Sequence, residues 1–268
     1  MAAEQLRAAR GPAIKSVAMP AQHGGWSFTL EPVIIALLLA PTLAGLLLGV
    51  AALMVFLLDQ PLRIALKDRR KGKHYARTQM AEQFSLAYGL IGAVAAVGAL
   101  LLAPNPFWLP LLAAVPLALI QLGFDLRNQA RAATAEIAGS LAFAMVAPAI
   151  LLMAGWQPLA AFGLWAVLAL RAASAILYVR ARLKLEKGKA ANITPALLGQ
   201  FVLVAGLVLL AALGLAPWLA LAGGLLLAAR GLLGLSRWRK PQSAVKLGVG
   251  ELIYGLVFAL FLVLGYSL

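Results

Sequence analysis

Leu37-Leu38-Leu39-Ala40-Pro41-Thr42-Leu43-Ala44-Gly45-Leu46-Leu47-Leu48 lies in an apolar run that begins at Trp26 and meets no basic residue before Arg63. Read as continuous, the run is one long kinked helix. Read as broken at Pro41-Thr42, where proline and a nearby glycine punctuate a tight turn, it is two helices, 26–40 and 43–66. A crossing helix needs about 20 mainly apolar residues. Seven more apolar segments follow, at 84–103, 107–125, 135–155, 158–180, 195–214, 217–235 and 247–266. The break at Pro41 makes nine spans, and its absence would make eight and reverse every later one.

The loops decide for the break. One set is short and uncharged, at 41–44, 104–106, 156–157 and 215–216. The other set carries almost all the cations. Arg63, Lys67, Arg69, Arg70, Lys71, Lys73 and Arg77 surround the loop after span 2, and Arg127 and Arg131 follow span 4. Arg180, Arg182, Lys184, Lys187 and Lys189 end span 6, and Arg237, Arg239, Lys240 and Lys246 follow span 8. This alternation survives only with nine spans. Basic loops face the cytoplasm, which puts the N-terminus inside and the C-terminal Gly265-Tyr266-Ser267-Leu268 outside.

Composition excludes most other classes. Hydrophobic residues are 63% of the 268 and charged residues 12%, against about 45–50% and about 25% in soluble domains. A soluble surface could not be covered from such a chain. The apolar residues run continuously rather than alternating, so a β-barrel is excluded. Without cysteine there is no disulfide, thiolate or iron–sulfur chemistry. His23 and His74 both fall at span ends on one side and do not bracket a haem. The net charge of +14 follows from the basic loops, so no nucleic-acid partner is expected. Residues 1–25 carry Arg7, Arg10 and Lys15 but no apolar core of a signal peptide. They form an N-terminal cytoplasmic segment before a membrane domain, 26–268.

The acids collect at the basic end too. Asp59, Asp125, Glu136 and Glu251 lie near those ends of their spans, with Glu31 early in span 1 and Glu82 just before span 3. They read either as partners of nearby cations or, together, as the mouth of a cytoplasm-facing cavity. Arg171 lies deeper, roughly 14 Å from Arg180 along span 6. It needs a carboxylate, a ligand or water. At 100° per residue it shares a face with Tyr178 and Arg182, opposite Arg180.

Two segments repeat. Arg63-Ile64-Ala65-Leu66-Lys67 precedes Lys71-Gly72-Lys73, and Arg180-Ala181-Arg182-Leu183-Lys184 precedes Lys187-Gly188-Lys189. They end spans 2 and 6, which divides the bundle into two four-helix halves plus a ninth helix. Internal repeats often carry a site at their interface. In each copy the Arg and Lys four apart share a helical face.

The whole chain resembles the UbiA superfamily of intramembrane prenyltransferases, nine-helix proteins with a cytoplasmic-side cavity. Glu31-Pro32 and the leucine-rich stretch through Leu48 carry that likeness. Pro20-Ala21-Gln22-His23-Gly24-Gly25-Trp26, with Glu31-Pro32, resembles the YwiC-like family, with Gln22 where that likeness would place a glutamate. The resemblance implies aspartate-rich motifs at the ends of helices 2 and 6, where Mg²⁺ bridges a prenyl diphosphate. Here those places hold Asp59, Arg63 and Lys67, and Arg180 and Lys184. Mg²⁺ prefers carboxylate oxygens, so no Mg²⁺ or other cofactor is expected, and anion binding by Arg and Lys is favoured.

The expectation is therefore an all-α membrane protein of the bacterial inner membrane, a degenerate or atypical transferase or a lipid-binding protein. Its partner is a membrane lipid or isoprenoid-like amphiphile. Arg63, Lys67, Arg180 and Lys184 hold the anionic head, while Asp59, Arg171 and Tyr178 line the wall, and His23, Trp26 and Glu31 mark the opening motif. The alternative is a small-solute or ion transporter using Glu31, Glu136 and Glu251. A purely apolar outer half in every span argues against that through-path.

Overall fold

The computed structural model describes residues 14–20, 23–127, 129 and 131–268, and these form helices and connections with no strand. The helices are α1 (Ile14–Ala18), α2 (His23–Leu39), α3 (Leu43–Arg70), α4 (Ala76–Leu102), α5 (Trp108–Leu126), α6 (Ala133–Ala144), α7 (Val146–Met153), α8 (Pro158–Glu186), α9 (Thr194–Ala212), α10 (Leu219–Leu235) and α11 (Ala244–Ser267). Among the described residues, seven helices are long and apolar enough to cross a membrane: α3, α4, α5, the joined stretch Ala133–Met153, α8, α9 and α11. The protein is a polytopic helical membrane bundle. The first and eighth expected spans are shorter apolar helices, Trp26–Leu39 and Leu219–Leu235, so the expected nine divide into seven of full length and two that fall short of it.

Local chemistry sets the breaks. Pro41 has no N–H to continue α2. Thr42 is extended, and its hydroxyl accepts from the Gly45 N–H at 3.0 Å, which opens α3 with a side-chain cap. The span at 135–155 breaks in two because the Pro148 ring opposes the carbonyl of Ala144, where α6 ends.

The centre is α7, every residue of which is buried, with α2, α3 and α8 packed on it. Over the apolar 18-residue segment of each, 67% of the α6–α7 stretch and 56% of α8 are buried within the bundle, against 11% of α4 and 6% of α5. α4 packs along α3 and against α1, whereas α5 packs along α6 and against α7. The two successive helices do not pack along each other. Their outer faces carry Leu86, Leu90, Val94 and Val97 on α4 and Leu112, Val115, Leu119 and Leu122 on α5, all exposed.

The repeated Lys-Gly-Lys segments have one structural job. Gly72 and Gly188 adopt φ of 63° and 65°, which only glycine takes without strain. Lys73 N–H donates to the Asp68 carbonyl and Lys189 N–H to the Lys184 carbonyl, both at 3.0 Å; Gly72 N–H donates to Arg69 and Gly188 N–H to Leu185. These are matching Schellman stops. Gly155 and Gly214, at φ 85° and 70°, stop α7 and α9 in the same way. The glycines of the repeat are 116 positions apart and its arginines 117. One residue turns a helix by 100°, so Arg63 and Arg180 stand on different faces relative to their own caps.

Candidate functional site

The end of the bundle that carries the cations is tied by carboxylates. On α3, Arg63 Nε donates to Asp59 Oδ1 at 2.7 Å, one turn earlier, and Arg63 Nη2 donates to Asp125 at the end of α5. On α8, Arg180 Nη1 donates to Glu136 Oε2 at 2.8 Å and to the Arg131 carbonyl at 2.7 Å. Asp125 ends α5 and Glu136 lies in the first turn of α6, so the two repeated arginines hold opposite flanks of one helix connection. Lys67 and Lys184, one turn beyond them, are exposed and form no ion pair among the described residues. The arginines are thus charge-compensated and the lysines are open to an anion.

Arg171, Tyr178 and Arg182 are all buried, on the face of α8 that helical spacing assigns them. Arg171 Nε lies 2.7 Å from Oε1 of Glu31 on α2, and its guanidinium stands 5.8 Å from the Phe28 ring. Arg182 donates to the Gly234 and Lys240 carbonyls, each at 2.5 Å, and lies 2.8 Å from Glu186. It ties the end of α10 to α8, where a cation suits the helix C-terminus. Tyr178 lies under Arg230 of α10, 4.1 Å from guanidinium to ring, with the Tyr254 ring 5.5 Å away. Arg230 Nη2 reaches Glu251 of α11 at 3.0 Å. Two arginines and two glutamates from four helices therefore meet in the interior, and their formal charges cancel.

Glycines make room for these groups. A Cβ at Gly255 would stand 2.2 Å from Arg171 Nη2 and 3.2 Å from Glu31 Oε2. One at Gly234 would stand 2.2 Å from the Tyr178 hydroxyl, and one at Gly231 2.8 Å from Gln200 Cδ. Small residues on α10 and α11 thus seat polar side chains from α8 and α9, the use small residues commonly serve in membrane bundles.

In the opening motif, Trp26 packs edge-on against Phe56 with centroids 5.1 Å apart, and Phe56 against Phe143 at 6.2 Å. Gln22, the His23 side chain and more than half of the 1–25 segment fall outside the described residues. The Mg²⁺ implied by the UbiA likeness does not fit. Asp59, about three turns before the end of α3, is held by Arg63, Asp68 near that end is held by Arg77, and Glu186 at the end of α8 lies 2.8 Å from Arg182. Among the described residues no three His, Asp or Glu gather to hold a metal.

Arg230, Gln200, Tyr254 and Asp68 were not singled out from the sequence. Asp68 is buried and accepts twice from Arg77, at 2.8 and 3.0 Å, and once from Thr78 at 2.8 Å, which staples the α3–α4 turn. Its signal was its place between a helix end and the Arg77-Thr78 start of the next helix. Arg230 showed as a lone cation within a span, the signal that marked Arg171.

A model of one protein family, described as YwiC-like protein, matches residues 19–151. The match runs from the N-terminal side of α2 to within α7 and takes in Glu31, Asp59, Arg63, Lys67, Asp125 and Glu136, while Arg171, Arg180, Arg230 and Glu251 lie beyond it. No curated protein and no solved structure matches the chain.

Proposed function

Taking residues 19–151 as belonging to the YwiC-like family, we propose that this membrane protein binds an anionic amphiphile at the basic end of its bundle. In this reading it lies in the bacterial inner membrane, with the basic end and N-terminus cytoplasmic and the C-terminus outside, as its loop charges favour. Lys67 and Lys184 attract the head group, and Arg63 and Arg180 take it up in exchange for their carboxylates. Asp59, Arg171 and Tyr178 belong to the wall behind. The tail lies in a lipid-facing furrow between α4 and α5.

One observation carries the reading. α4 and α5 are consecutive, yet each packs away from the other, and Arg63 reaches from α3 to Asp125 on α5 at the basic end of the gap. Two exposed apolar faces that do not pack on each other, with a guanidinium at one end, suit a molecule with an apolar tail and an anionic head. Binding is an exchange, because Arg63 already has two carboxylates; a phosphate dianion, with more charge and three acceptor oxygens, competes for the fork where a neutral head cannot. This reading assigns no metal, nucleic acid or reaction to the site.

The test is thermal unfolding in neutral maltoside micelles with added decyl phosphate or decyl glucoside. Decyl phosphate raises the midpoint by several degrees at saturation, as ligand linkage requires, and decyl glucoside does not. Equal shifts would reduce the effect to detergent filling and remove the reading.

A further inference from the structure

The inner charge cluster contains an unmet demand that the amphiphile reading does not use. Arg230 is 8% exposed. Its Nη2 reaches Glu251 and the Tyr178 side chain lies within hydrogen-bonding reach of the guanidinium, while Nε and Nη1 are buried without a well-formed hydrogen bond among the described residues. The guanidinium lies 4.1 Å from the Tyr178 ring and 5.5 Å from the Tyr254 ring, away from the surface. Gln200 Oε1, on the neighbouring α9, is also buried and unpartnered. Leaving such N–H groups unmet in an apolar interior is costly, which makes the position a standing site for acceptor oxygens. The two rings put apolar surface beside that position, which suits an acid with an apolar body.

We propose that Arg230, flanked by Tyr178 and Tyr254, binds the carboxylate of a small apolar acid inside the bundle, and that Glu251 takes up one proton as it binds. Charge balance requires the proton. Glu251 on α11 faces Arg230 from α10, Arg171 from α8 and Glu31 from α2, with Tyr178 of α8 and Tyr254 of its own helix beside Arg230. These four charges cancel, so a bound monoanion would leave one uncompensated negative charge where the dielectric is low. Arginine does not give up its proton in proteins, so only a carboxylate can restore neutrality. Arg230 exchanges Glu251 for the ligand carboxylate, and Glu251 takes a proton from solvent and stays as a neutral acid. Ligand anion and proton are thus taken up one for one. This site shares Tyr178 and Arg171 with the wall behind the head-group mouth, but it holds whether or not an amphiphile binds there.

The experiment uses the full chain in neutral detergent, with hexanoate as probe, and measures affinity from pH 6 to 8 together with proton uptake in weakly buffered solution. The wild type is expected to bind hexanoate about tenfold more weakly for each unit of rising pH, with close to one proton taken up per anion at pH 8. The substitution R230K keeps the charge but loses the fork, and should weaken binding at least tenfold with the folding midpoint little changed. If R230K does not fold, E251Q decides. It leaves Arg230 uncompensated, so it should bind hexanoate more tightly and without pH dependence. No hexanoate binding, pH-independent binding by the wild type, or an E251Q protein that behaves as wild type would overturn the proposal. So would loss of binding in R63A with R230K unaffected, because hexanoate would then sit at the mouth. Absence of binding would leave Arg230 with ordered water only.

Discussion

Arg171 Nε stands 2.7 Å from Glu31 Oε1, and both side chains are withdrawn from the surface, at 5% and 11% exposure. The pair joins α2 to α8, residues 140 apart in the chain. Removing one member of a buried pair strands the other, which costs about 3–5 kcal/mol, whereas replacing both with apolar residues of similar size is often near neutral. E31M and R171M should therefore each lower the unfolding midpoint strongly, and the double variant E31M/R171M should recover most of the loss. Midpoints in one detergent measure this. A double variant as unstable as the two singles added together would show that the pair is not an isolated unit.

Gly255 gives a steric test of the same cluster. A methyl group there meets Arg171 Nη2, whereas Gly248 and Gly250 on the same helix have nothing within 4 Å. Overpacking costs typically about 1–3 kcal/mol, and alanine in an open helical position gains roughly 1 kcal/mol over glycine. G255A should lower the midpoint while G248A and G250A leave it unchanged or raise it. Similar effects at all three would mean that Arg171 has room to move aside.

The two Lys-Gly-Lys stops should respond alike. At Gly72 and Gly188 a Cβ meets no neighbour, so alanine suffers from the left-handed backbone alone, roughly 1–2 kcal/mol. G72A and G188A are expected to destabilise equally. A much larger effect at one site would show that its connection does more than end a helix.

Much of this arrangement was legible in the sequence. The Pro41 break, the positions of the apolar helices and the one-sided charge could be read because prolines, apolar runs and basic loops are local signals. Helical phase placed Arg171, Tyr178 and Arg182 on one buried face without any tertiary information. Partner choice was not legible. Nothing local links Arg63 to Asp125 or Glu31 to Arg171, since each pairing depends on how distant helices cross. The repeat was visible as letters, but its glycines and arginines are offset by one residue. Its shared part is a helix stop, and the faces presented by its arginines differ.

Orientation has its own test. With the basic end in the cytoplasm, as proposed from the loop charges, an odd number of crossings would put Leu268 outside. A reporter fused at Leu268 should be accessible from the periplasmic side of intact spheroplasts, with one in the 71–73 turn accessible only after lysis. A cytoplasmic Leu268 would mean that one of the two shorter helices, Trp26–Leu39 or Leu219–Leu235, does not cross.

The head-group exchange at Arg63 is tested most directly by equilibrium binding of radiolabelled decyl phosphate to the wild type, R63A, R70A and D125N in neutral micelles. Arg63 lies between Asp59 and Asp125, whereas Arg70 is exposed with no ion pair among the described residues. R63A should weaken binding at least tenfold and R70A less than twofold, because a distant solvated charge is screened. D125N should tighten binding, since it removes the carboxylate that competes for the guanidinium. Equal losses in R63A and R70A, with no gain in D125N, would leave only general attraction to a basic surface and contradict a head-group site at Arg63.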